Sequence, residues 1–141
     1  PGDGGAAATA EPVHGAGKHI LYLDDEEPLV RLATRTLERL HFRVTGFTRA
    51  ADAVAAFCAN PAEFDLVITD LNLPGASGLG VAARLLAVRP DVPIVLSSGH
   101  VTDDLRDKAQ RIGIRELLYK PSRIEELCEV VQRLTDSAPA L

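Results

Sequence analysis

The groups with most chemical capacity in this 141-residue chain are carboxylates. Four acids in a row, Asp24-Asp25-Glu26-Glu27, follow the apolar run His19-Ile20-Leu21-Tyr22-Leu23, and Asp70 closes a second such run over residues 64–69. Two further groups stand in comparable places: Ser97 after Pro93-Ile94-Val95-Leu96, and Lys120 after residues 115–119 and before Pro121. Brought together, Asp24, Asp25 and Asp70 repel and raise one another's pKa unless something positive intervenes. A hard divalent cation with oxygen ligands answers that need, Mg²⁺ before others, because it binds through one or two carboxylates and keeps waters. An acidic metal site, one hydroxyl donor and one ammonium are the parts that phosphoryl transfer requires. Asp70 then serves as the nucleophile, as carboxylates do in aspartyl-phosphate chemistry. Singly, each residue has a blander reading: Asp24 or Asp25 as the cap of a first helix, Ser97 as a turn residue, Lys120 as a solvated charge.

These residues act together only if the chain folds them to one place, and the hydrophobic pattern predicts that it does. Residues 19–23 read as a buried strand, and Leu29, Leu32, Ala33, Thr36, Leu37 and Leu40 recur at the spacing of one helix face. Residues 42–47 read as a second strand, and Ala50, Ala53, Val54 and Phe57 mark a helix that stops near Asn60-Pro61. Residues 64–69 form a third strand ending at Asp70, followed by the loop Leu71-Asn72-Leu73-Pro74-Gly75. A helix over 77–88 is expected to bury Leu79, Ala82, Ala83 and Leu86. Residues 93–96 and 115–119 are strands four and five. The segment 102–112 between them is polar nearly all round, with only Leu105, Ala109 and Ile112 to bury, and is expected to be the most mobile helix. Ile124, Leu127, Val130, Val131 and Leu134 define the last one. Five short strands, apolar on both faces and alternating with five helices, imply an α/β fold with a parallel sheet covered on both sides. In the flavodoxin-like (βα)5 order 2-1-3-4-5, ligands gather at the carboxyl ends of strands 1 and 3, where the three aspartates stand.

With 46% hydrophobic residues the chain can bury the core of one domain, expected over residues 18–136. Residues 1–17, rich in Gly, Ala, Pro and Thr, read as a disordered linker or tail, and 137–141 as a C-terminal tail. Fifteen Lys and Arg against twenty Asp and Glu give a formal net charge of -5 and no basic stripe, so nucleic acid is not an expected partner. No apolar run approaches the roughly 20 residues that span a bilayer, and no signal-peptide pattern is present, so a cytoplasmic domain without membrane contact is expected. Cys58 and Cys128, far apart and without a CxxC, point to neither zinc nor a disulfide framework and read as core residues. The lack of any methionine, position 1 included, reads as a piece of something longer or a chain that has lost its first residue.

Residues 18–136 resemble the receiver domains of two-component response regulators. The acidic pair Asp24-Asp25, Asp70 within Thr69-Asp70-Leu71-Asn72-Leu73-Pro74-Gly75, Ser97, and Lys120-Pro121 carry the likeness, in order and on a matching strand-helix pattern. The resemblance implies that Asp70 accepts a phosphoryl group from the histidine of a histidine kinase or histidine phosphotransfer domain. It implies that Asp25 ligates Mg²⁺ directly, that Asp24 helps through water, and that Asp70 and the Asn72 main-chain carbonyl complete the protein ligands. Ser97 would bond one phosphoryl oxygen and Lys120 pair with another, with a small residue, Ser98, keeping the pocket open. Such a domain is not an enzyme in its own right but assists its own phosphorylation and dephosphorylation. Phosphorylation is expected to repack the surface of helix 4, strand 5 and helix 5. Two departures stand out: Leu117 occupies a position where the family often carries Tyr or Phe, with Tyr119 two residues later on the same face, and Ser122 replaces a more usual apolar residue. Residues 21–31 and 96–100 look most like receiver modules of hybrid sensor histidine kinases. A haloacid-dehalogenase-type phosphohydrolase would want Asp-x-Asp after strand 1 and usually a cap insertion. A flavin or nucleotide binder would want a Gly/Ser/Thr-rich loop where four acids stand. A silent docking receiver is the remaining alternative, disfavoured because all five chemical positions are filled.

Overall fold

Five short strands align as one parallel sheet in the computed structural model, which describes residues 17–120 and 124–136. They are β1 (His19–Leu23), β2 (Arg43–Phe47), β3 (Leu66–Asp70), β6 (Ile94–Ser98) and β7 (Glu116–Tyr119), in the order β2-β1-β3-β6-β7. A small antiparallel hairpin, β4 (Asn72–Leu73) and β5 (Ala76–Ser77), occupies the stretch expected as a loop after strand 3. The helices are α1 (Glu27–Arg39), α2 (Ala50–Ala59), α3 (Gly78–Val88), α4 (Asp103–Ile112) and α5 (Ile124–Asp136). Sheet, strand order and element sequence are those expected for the flavodoxin-like (βα)5 fold, with strands four and five of the sequence reading as β6 and β7.

The alternation of side chains along each strand divides the core in two. Leu21, Leu23, Val67, Ile94 and Leu96 pack with Phe57 of α2, Leu85 of α3 and Leu105 of α4. Ile20, Leu66, Ile68, Val95 and Leu118 pack on the opposite face with Leu37 of α1 and Val131 of α5. All five positions of both β3 and β6 are buried, so these central strands need apolar residues on both faces. Each large side chain so enclosed contributes about 1.5–3 kcal/mol.

The helices present narrower faces than their apolar periodicity allows. On α1 the buried residues are Val30, Ala33 and Leu37, whereas Leu29 is half-buried and Leu32 is 52% exposed. On α3 they include Val81, Ala82 and Leu85, whereas Ala83 is exposed and Leu79 and Leu86 are half-buried. Both helices carry apolar residues on two overlapping stripes, and the direction of packing onto the sheet selects one. The same choice corrects the reading of the cysteines. Phe57 takes the inward position on α2 and leaves Cys58 exposed, and Cys128 is half-buried at the edge of the α1/α5 core. By contrast, α4 is anchored as expected, by Leu105 and Ala109 with Ile112 half-buried. Thr102 Oγ1 caps it by accepting the Leu105 N–H at 3.1 Å, and Gly113, left-handed at φ 110°, ends it.

Of the expected N-terminal tail only Gly17 is described, and it is tied to the domain: its N–H donates to the His41 carbonyl at 2.9 Å and its carbonyl accepts from Arg43 Nε at 3.0 Å. The rest of that tail, residues 137–141, and the departure at Ser122 lie outside the described residues. No helix among the described residues is long and apolar enough to cross a membrane.

Candidate functional site

Parallel pairing delivers the chemical residues to one edge of the sheet. Leu23 pairs with Thr69, so Asp24 and Asp25 emerge beside Asp70; Asp70 in turn lies opposite Ser97. Ser98 lies opposite Tyr119, and Lys120 follows, its N–H donating to the Ser98 carbonyl at 2.7 Å. Oxygen atoms of Asp24, Asp25 and Asp70 come within 4.8 Å of one another. Asp24 and Asp70 are buried and Asp25 is exposed. Lys120 Nζ bridges the two buried acids, 2.9 Å from Asp24 Oδ2 and 3.3 Å from Asp70 Oδ2.

Asp24 has a second task. Its Oδ1 accepts the N–H of Glu26 at 2.9 Å, at the start of α1, where Glu26 supplies no side-chain cap of its own. The capping and cluster readings of this residue therefore both hold. On the other side of the cluster, α3 starts directly against the end of β3, its Gly78 N–H donating to the Leu71 carbonyl at 2.7 Å. A Cβ at Gly78 would collide with the Asp70 carbonyl oxygen and lie 2.9 Å from Leu71 Cα, so glycine is what permits this close approach. Gly75, at φ 69°, turns the intervening hairpin. Asn72 is exposed, and its backbone N–H donates to the Asp70 carboxylate.

The electrostatics follow from this packing. Burial, and then the charge of Asp24, push the Asp70 carboxyl above its ordinary value; Lys120 and the Asn72 N–H oppose the shift without cancelling it. Burial works against the charge on Lys120, but its hydrogen bond to Asp24 and the charges of Asp24 and Asp70 outweigh that and raise its pKa. Tyr22 also belongs to this neighbourhood, its phenol pushed up to about 12 by burial and then by Asp24. The signal for it was in the sequence, because residues two apart on a strand share a face.

Ser97 is buried at the same edge, 8% exposed and opposite Asp70. Ser98 is a small residue as expected, but its hydroxyl is engaged: Oγ accepts the His100 N–H at 3.1 Å and donates to the His100 carbonyl at 3.0 Å, fixing the turn toward α4. Three hard carboxylate ligands, one of them open to solvent, suit a cation that takes oxygen donors and keeps waters. With a carboxylate, a hydroxyl and an ammonium around that place, the edge is equipped to receive an anionic phosphoryl group.

An open α/β sheet with this acidic edge defines a phosphoacceptor class of domain rather than a nucleotide binder. Residues 20–132 match the model of the response regulator receiver domain, and the chain belongs to that family. It is 30% identical over 118 residues to the C4-dicarboxylate transport transcriptional regulatory protein DctD of Rhizobium meliloti, covering 84% of this chain and 25% of that protein. It is 34% identical over 118 residues to the DNA-binding transcriptional regulator NtrC of Azospirillum brasilense, covering 84% and 24%. The chain thus spans about a quarter of the length of these relatives. Among solved structures, the non-phosphorylated HemR receiver domain of Leptospira biflexa superposes with a TM-score of 0.82 at 24% identity, covering 88% of this chain and 98% of that one. A receiver domain protein from Clostridium thermocellum gives 0.79 at 24% identity, covering 84% and 94%. The fold is therefore that of receiver domains, phosphoacceptors in two-component signalling, and neither the phosphohydrolase nor the silent-receiver reading is supported.

Proposed function

We propose that Asp70 is the phosphoacceptor, receiving its phosphoryl group from the histidine of a kinase or phosphotransfer domain. The observation that carries this is the convergence of Asp24, Asp25 and Asp70 within 4.8 Å, bridged by Lys120. An Asp70 carboxylate oxygen bonds to phosphorus as the P–N bond of phosphohistidine breaks, the electron pair leaving with the imidazole. Ser97 donates its hydroxyl to one phosphoryl oxygen and Lys120 its ammonium to another. Asp25, Asp24, Asp70 and the Asn72 carbonyl would hold Mg²⁺, which when bound neutralises charge on the phosphoryl oxygens. Intact-mass measurement after incubation with phosphoramidate and Mg²⁺ tests the assignment: one phosphoryl group is gained by the natural chain and none by Asp70→Asn. Equal phosphorylation of that variant would overturn it.

The output we assign to the face formed by α4, β7 and α5. Ser97 and Lys120 lie at the starts of the connections into α4 and α5, and α4 is held by few buried residues, Leu105 and Ala109. Leu117 is half-buried against the α3/α4 side and Tyr119 is 60% exposed, so movement of the turn and helix, rather than inward rotation of a ring, is the expected response. Hydrogen exchange with and without beryllofluoride decides this: changes confined to α1 and α2, with residues 97–120 unaffected, would refute it. The likeness of residues 21–31 and 96–100 to hybrid sensor kinase receivers supports a place in such a kinase, in the cytoplasm.

A further inference from the structure

The three helices on the α2/α3/α4 side of the sheet differ in what they turn to solvent. Six residues of α4 are charged, whereas Asp52 is the one charged residue of α2 and Arg84 the one of α3. A helix apolar on every side is ordinarily covered on every side. The inner sides of α2 and α3 are covered, packing into the core through Phe57 and Leu85. Their outer sides are not: Ala55, Cys58 and Ala59 on α2 and Ala83, Ala87 and Val88 on α3 are exposed, Val88 at 46%. The two helices are neighbours, so these residues make one continuous face. The two charges stand together at one end of it. Asp52 and Arg84 both line the cleft between the starts of α2 and α3, both are exposed, and neither forms an ion pair with a described residue.

We propose that this face is an interface between two copies of the chain, related by a twofold axis parallel to the helices. Such an axis lays α2 of one copy on α3 of the other without changing their level, and it sets Asp52 against Arg84 twice, because an isologous pair makes every contact two times. The levels agree. Helical side chains lean toward the N-terminus, which carries the Arg84 guanidinium back to the height of Asp52, in the cleft that both line. Further along, Cys58 and Ala59, eight and nine residues past the start of α2, come level with Ala87 and Val88, nine and ten past the start of α3. Side chains this small let the helix axes approach to about 8 Å. With one acid and one base the face is neutral, which disfavours an anionic membrane surface, where clustered Lys and Arg are needed. Helices of 10 and 11 residues are about 15–17 Å long, so the face is small for an interface and the pairing is weak and concentration-dependent.

Sedimentation equilibrium of the natural chain, from about 10 μM to about 1 mM, should show monomer passing into dimer. Ala55→Glu/Ala83→Glu puts charges at two exposed helical positions and should lower the association constant by about tenfold or more, with the Tm of the monomer unchanged. The charge reversals give a second, independent readout. Asp52→Arg and Arg84→Asp should each weaken pairing about three- to tenfold, and the two together in one chain should restore it, because the reversed pair is complementary again. Leu32→Arg on α1 and Tyr119→Arg on β7, the other exposed large apolar positions among the described residues, should leave the association constant as it is. A monomer at every concentration would overturn the inference, as would a dimer that Ala55→Glu/Ala83→Glu leaves intact. Dissociation by Leu32→Arg or Tyr119→Arg instead would place the contact on another face and overturn it too, and so would a double reversal that recovers nothing.

Discussion

Replacing Lys120 with glutamine removes the ammonium that bridges Asp24 and Asp70, and its consequences follow from distances and burial. At an effective dielectric near 20, unit charges 2.9 and 3.3 Å apart attract by about 5–6 kcal/mol each before desolvation. Desolvation cancels most of this. Breaking a buried pair nonetheless costs about 3–5 kcal/mol, because the remaining charges are left uncompensated. The Lys120 side chain is 23% exposed and glutamine can still donate to Asp24, so the expected loss is smaller, about 2–4 kcal/mol. The pH dependence gives the sharper test. Lys120 opposes the upward shift of Asp70 more than the Asn72 N–H does, so in the variant that carboxyl moves higher still. A carboxyl raised in the folded state binds more protons than it does unfolded, so stability grows as pH falls through the window above the ordinary carboxyl value. The deficit of Lys120→Gln relative to the natural chain should therefore shrink between pH 7 and pH 5. Urea denaturation at both pH values measures it. A loss under about 0.5 kcal/mol at pH 7, or one that does not narrow on acidification, would refute the view that Lys120 neutralises this cluster.

Asp70→Asn removes one of the repelling charges and leaves the Lys120–Asp24 pair intact, so the metal-free fold should gain about 0.5–2 kcal/mol at pH 7, read as a higher Tm. Asp25→Ala should weaken Mg²⁺ binding at least about tenfold by titration calorimetry without destabilising the metal-free fold, since Asp25 is exposed. Gly78→Ala forces a Cβ onto the Asp70 carbonyl and should cost about 1–3 kcal/mol in urea denaturation. It should also slow phosphorylation, because the strand end that carries Asp70, the proposed acceptor, must shift.

What could be read from residues alone was what strict periodicity and strand ends encode. The central strands announce themselves because β3 and β6 are apolar on both faces, and the chemical residues follow those runs directly. Helix faces were less legible: nothing in the spacing distinguishes Leu32, which is exposed, from Leu37, which is fully buried. Lys120 could be placed at the sheet edge from its position, but its bond to Asp24 joins residues 96 positions apart and depends on side-chain torsions. Gly78 and Gly80 carry no periodic signal, yet the first lets α3 meet the end of β3 and the second leaves open the space beside it.

If Ser97 and Lys120 act as proposed, the magnitudes also account for a single phosphoryl group being enough to work such a domain. Ser97, 8% exposed, lies opposite Asp70, and the next residue, Ser98, holds His100 and the turn into α4 through both hydrogen bonds of its side chain. Bonding Ser97 to an anionic oxygen would contribute about 1.5–3 kcal/mol. Burial of Leu105, the largest side chain wholly committed by α4 to the core, contributes about the same. Lys120, whose N–H is tied to the Ser98 carbonyl, would lean on the same turn if, as proposed, its ammonium exchanges Asp24 and Asp70 for a phosphoryl oxygen. A modification shifts an equilibrium only by its differential interaction with the two states. On the proposed roles that difference would be comparable to the burial of Leu105 on α4, while the doubly buried strands β3 and β6 would lie well beyond its reach.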